Sequence, residues 1–171
     1  MDYTTSELTI LSAMNWLHLL ATVAWIGGIV INVFILSPAA KESLEPPLMM
    51  RLWGGIMKRF KKMVYVCMAV FIGTGIVMMF MNSAYGDSFD FGDTWTLFLV
   101  IKHVLVLVLI IMGIYMFQSV FPKLKKLAAR GPSPALAKAE KQQRVVATVN
   151  LILGILILAA TAVNGAISGL V

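Results

Sequence analysis

Charge is the scarcest commodity in this sequence: 13% of its 171 residues are charged, against 60% hydrophobic, with a mean hydropathy of +0.89. One soluble core of that length cannot hide so much apolar surface, which argues against a soluble enzyme, a disordered tail or a nucleic-acid module. Cysteine is nearly absent. Cys67 stands alone in an apolar stretch, so no intramolecular disulfide can form and the redox compartment is unreadable. There is no Walker loop, no dinucleotide fingerprint, no Cys-x-x-Cys, and no Cys-x-x-Cys-His for covalent haem attachment. The apolar blocks also hold no carboxylate. Asp2, Glu7, Glu42, Glu45, Asp87, Asp90, Asp93 and Glu140 all lie outside them, which disfavours a carboxylate proton relay or cation antiporter. A basic region of the kind that opens a signal peptide is missing too, so the first apolar block is expected to remain in the mature protein.

What is present is four apolar blocks, and a hydrocarbon core of ~30 Å needs ~20 residues of helix to cross it. They run over about 8–36, 63–81, 95–121 and 145–170. Ser37-Pro38 stops the first, Pro122 and a lysine cluster end the third, and Gly131-Pro132-Ser133-Pro134 forms a linker before the fourth. No block alternates as a transmembrane barrel strand does. The expected fold is all-α, a single integral membrane four-helix bundle over residues 1–171.

Of the 14 basic residues, 13 fall in the first and third connections, among them Lys41, Arg51, Lys58 and Arg59 in one, and Lys123, Lys126 and Arg130 in the other. The middle connection holds Asp87, Asp90 and Asp93 and no basic residue, and the N-terminus is acidic. The positive-inside rule therefore places the basic loops in the cytoplasm and both termini outside, in what reads as a prokaryotic plasma membrane. The net charge of +6 is a topology signal, not a nucleic-acid patch.

Lys102 is the remaining cation and lies inside the third span, where it either snorkels to the headgroups or serves a function. The only two histidines, His18 and His103, are also inside spans, each 8 residues beyond a span start, Ile10 and Trp95 respectively. At ~1.5 Å per residue both imidazoles sit ~12 Å below the same boundary. Two imidazoles at one depth can be opposed axial ligands of a haem iron or two ligands of a copper ion; the bland alternative is that each bridges two helices.

Ala21, Trp25 and Gly28 share a face with His18, and Gly27-Gly28 leaves room for a flat macrocycle or another helix. Lys102 could pair with a haem propionate, with Asn164, Asn82 and Tyr85 at heights suited to supporting hydrogen bonds. Methionine is abundant, at 12 residues. Met57, Met63, Met68, Met78, Met79 and Met81 follow the second span and Met112 and Met116 the third; with Cys67 they would suit passage of Cu(I), although methionine is also ordinary packing material.

His18 and His103 are 85 residues apart and open similar apolar runs, but Gly73-Thr74-Gly75 has no counterpart at that shift, so an internal duplication is weakly indicated.

The stretch Trp16 to Gly28 resembles the opening helix of the CopD-type copper-resistance membrane domain, as do Arg59-Phe60 leading into a span ending Thr74-Gly75 and the Leu-x-x-Lys-His run from Leu99 to His103. More distantly, the chain is similar to HemJ-type protoporphyrinogen oxidases, which bind haem b. The first resemblance implies copper uptake or export; the second implies haem-linked oxidation of a tetrapyrrole. No dedicated copper-binding loop stands in the sequence. The residues carried over are His18, Trp25 and Gly28 on the first span and Lys102 and His103 on the third.

The leading expectation is a haem b protein with bis-histidine ligation, transferring electrons at or across the membrane to a quinol or a redox protein on the outer side. The alternatives are a copper-transport or copper-resistance protein and a structural membrane subunit, with self-association open in every case.

Overall fold

The structure, a computed structural model, describes residues 4–81 and 94–167. Asn82, Tyr85 and the acidic triad Asp87, Asp90 and Asp93 lie outside the described residues. Among those described, every regular element is helical. Four continuous helical stretches are long and apolar enough to cross a membrane: Thr5–Ser43, Pro47–Met81, Thr94–Ala128 and Pro134–Ile167.

Helix α1 (Thr5–Val30) opens on a capping box. The Glu7 amide donates to Thr4 Oγ1 at 3.3 Å, and the Thr4 amide donates to the Glu7 carboxylate at 2.9 Å. The chain then passes through a π-helical segment, Ile31–Leu36, into α2 (Ser37–Ser43). Helix α3 (Pro46–Met81) returns. Helix α4 (Thr94–Tyr115) leads through a second π segment, Met116–Val120, into α5 (Phe121–Ala128), and α6 (Pro134–Ile167) closes the fold.

Two expectations about helix ends need correction. Pro38 and Pro122 do not stop their helices. Each lies in the first turn of a further helix, immediately after a π segment. A proline inside an α-helix loses one hydrogen bond and presses its ring on the carbonyl four residues back, whereas the wider π turn changes that pairing and makes room. The first basic connection is also mostly helix, because α3 begins 17 residues before the expected Met63. At ~1.5 Å per residue its 36 residues reach ~54 Å, well beyond a ~30 Å hydrocarbon core, and Arg51, Lys58 and Arg59 all lie in its N-terminal half. The linker at Gly131 is a true stop. Its φ of 90° is left-handed, which glycine alone adopts freely, and α6 restarts with the Leu136 amide capped by Ser133 Oγ at 3.2 Å.

Helix α1 packs along α3, and α4 along α6, giving two hairpins that meet chiefly where α1 touches α6. Small residues set the close approaches, as expected where lipid offers no hydrophobic drive between helices. A Cβ on Gly154 of α6 would lie 3.2 Å from the Ile26 side chain, and one on Gly113 of α4 would lie 2.9 Å from Met68 Cε and 3.4 Å from Trp25 Cζ2. Trp25, at 2% exposure, therefore anchors a core shared by α1, α3 and α4. Gln142 Nε2 donates to Tyr115 Oη at 2.6 Å and clasps α6 to α4.

The hairpins share a layout. The offset of 85 residues between His18 and His103 recurs between the first residues of the π segments, Ile31 and Met116.

Candidate metal-binding site

His18, Thr74, Lys102, His103 and Asn164 lie in the halves of their helices away from the lysine-rich connections. His18 is half-buried on α1, and its ring faces α3. Its Nδ1 lies 2.7 Å from Oγ1 of Thr74, a residue only 5% exposed. The Thr74 hydroxyl has one proton, which it donates to the Val70 carbonyl at 2.6 Å. The hydroxyl must therefore accept from His18, which places the proton on Nδ1 and leaves the Nε2 lone pair of the neutral ring free. Phe71 holds the other side of the ring edge-on, with centroids 4.9 Å apart and planes at 62°, and leans in turn on Trp25 at 5.7 Å.

His103 holds its Nδ1 proton by another route. Its Nδ1 lies 2.7 Å from the Leu99 carbonyl one turn earlier on α4, and a carbonyl can only accept. Helix α6 steadies that turn: in the amide orientation that satisfies both partners, Asn164 donates to the Trp95 carbonyl and accepts from the Leu99 amide, each at 3.3 Å. Both imidazoles thus present Nε2 as the open donor, the arrangement usual for metal-ligating histidines, whose other ring nitrogen is tied to an acceptor.

His18 stands on α1, and Lys102 and His103 are neighbours on α4. They differ in setting: His18 and Lys102 are half-buried, while His103 is exposed on the flank of the bundle.

The other residues singled out from the sequence fall into place unevenly. Ala21 and Trp25 are buried on the His18 face. Gly28 is not open to a macrocycle, because Phe60 and Met63 of α3 fill the space over it; a Cβ there would meet Phe60 Cε2 at 2.5 Å. Met57, Cys67 and Met68 lie on the buried face of α3, whereas Met79 is exposed and Met78, Met81, Met112 and Met116 are half-buried. Among the described residues, no three of His, Cys, Asp and Glu converge, so any metal held here relies on the histidine pair with softer or external donors. Phe71, and the role of Thr74 as the partner of His18, were not foreseen from the sequence. The one signal for Thr74 was a hydroxyl set between two glycines in an apolar span.

Comparison with known proteins adds the family. Residues 54–164 match the family model described as copper resistance protein D, a range that includes Thr74, Lys102 and His103 and leaves His18, Trp25 and Gly28 outside it. No curated protein and no solved structure matches the chain. With four helices fit to cross a membrane and the family match extending over more than half its length, the chain is an integral membrane protein and belongs to the copper resistance protein D family.

Proposed function

We propose that this protein handles copper within the membrane, receiving the ion through Nε2 of His18 and His103 and passing it to the sulfur-bearing face of α3. The observation that carries the reading is the pair of Nδ1 hydrogen bonds, to Thr74 Oγ1 and to the Leu99 carbonyl, which leaves two neutral nitrogen donors of a kind copper accepts. Family membership supports copper as the cargo. Below His18 along the bundle, Phe71 and Trp25 lead to Met68, with Cys67 beside it; thioether and thiolate sulfur favour Cu(I), so the donor set softens with depth.

The leading expectation of haem b rested on His18 and His103 at one depth, with room over Gly28 for a macrocycle; Phe60 and Met63 occupy that room, and the family match gives haem b no support. By the positive-inside rule the histidine level lies toward the outer face and the lysine-rich ends in the cytoplasm. The test is metal analysis and an absorption spectrum on the purified protein, wild type beside His18→Ala and His103→Ala. Bound copper that falls in both variants supports the reading. Copper unchanged in both, or a Soret band with sharp reduced α and β bands, overturns it.

A further inference from the structure

At the lysine-rich end, a 410 Å³ pocket opens on the outer side of α5 and the turn after it, lined by Gln118, Ser119, Lys123, Lys126 and Arg130 together with Pro122 and Leu127. Lys123 and Lys126 are three residues apart on one face of α5, and Arg130 joins them from the turn that follows. Gln118 and Ser119 are at its membrane side, on the second π segment, and both are exposed. Before that segment, α4 exposes Val104, Val108, Ile111 and Tyr115 in a row at helical spacing. Along the chain the order is therefore an exposed apolar row, a neutral polar pair, and three cations lining one open cleft.

We propose that this surface binds an anionic phospholipid, its acyl chain along the α4 stripe and its phosphate between Lys123, Lys126 and Arg130. A phosphate oxygen takes charge-assisted hydrogen bonds from ammonium and guanidinium groups, and Gln118 and Ser119 suit the glycerol and ester oxygens beneath it. Charge complementarity selects an anionic headgroup over a zwitterionic one, and the apolar stripe selects a lipid over a soluble anion. This assignment is independent of the copper reading.

The experiment is native mass spectrometry of the full chain released from membranes of mixed phosphatidylglycerol and phosphatidylcholine. It compares wild type, Lys123→Ala/Lys126→Ala/Arg130→Ala, and a variant with equal charge loss on α6, Lys138→Ala/Lys141→Ala/Arg144→Ala. Wild type is expected to retain phosphatidylglycerol preferentially, the α5 variant to lose about fivefold per cation removed, and the α6 variant to keep the preference. A parallel titration with inorganic phosphate should show no saturable binding. Equal loss in both variants, absence of any lipid preference, or tight binding of inorganic phosphate alone would overturn the proposal.

Discussion

Nδ1 of His18 and Oγ1 of Thr74 stand 2.7 Å apart across the α1–α3 interface, joining residues 56 positions apart in the chain. Because Thr74 spends its own proton on Val70, the bond has one direction, and it sets which ring nitrogen is left to bind a ligand. Thr74→Val keeps the shape of the side chain and removes the acceptor. Copper affinity should fall about 10- to 100-fold, the usual cost of losing an outer-sphere partner, while Thr74→Ser retains it. Isothermal titration of Cu(I) into the three proteins measures this, and equal affinity for Val and wild type would show that the hydroxyl does not orient the ligand.

The adjacent glycines of α1 should respond in opposite ways to alanine. Among the described residues nothing lies within 4 Å of a Cβ on Gly27, so Gly27→Ala should leave stability unchanged or raise it, by up to about 1 kcal/mol of helix propensity. At Gly28 the new methyl meets the Phe60 ring, and overpacking of this kind costs about 1–3 kcal/mol. Thermal unfolding in detergent orders the two variants.

Two buried asparagines on α6 should also separate. Asn164 bonds the α4 backbone at Trp95 and Leu99, and Asn164→Leu should destabilise the α4–α6 hairpin by about 1 kcal/mol. It should also loosen the turn that holds His103, lowering copper binding. Asn150 is 5% exposed, and its Oδ1 has no hydrogen-bond partner among the described residues. Asn150→Leu should be neutral or stabilising, since it removes a desolvated acceptor without orphaning a donor. Unfolding curves of both variants decide this, and a loss at Asn150 as large as at Asn164 would contradict the contrast.

Cys67 is 4% exposed within the core shared by Trp25 and Met68. A membrane-permeant maleimide should leave it unmodified in the folded protein and label it fully after denaturation. Rapid labelling of the native state would mean that the sulfur-bearing face of α3 opens to the bilayer or to water.

The division into four spans could be read from hydropathy because hydropathy depends on length and composition alone, and the face of Ala21 and Trp25 was legible from simple helical spacing. The histidines stood out because nothing else in the spans resembles them. Helix rotation was illegible: blocks as uniformly apolar as Val104 to Ile111 carry no polar face to mark the buried side. That is why the exposure of His103, the filling of Gly28 by Phe60 and the partnership of Thr74 with His18 emerged only from three-dimensional packing. The prolines misled for a related reason, since the π turns that accommodate Pro38 and Pro122 have no marker in composition.

Those two π segments carry a further consequence. A π turn holds about one residue more than an α turn, so everything before it is out of phase, by about 100°, with the helix that an unbroken α ladder would have made. Deleting a single residue between Ile31 and Leu36 would straighten the ladder and swing the half that carries His18, Ala21 and Trp25 around its axis relative to Ala40 and the basic end. The histidine-bearing and lysine-bearing halves of each long helix are thus geared separately, and one inserted residue sets the angle between them.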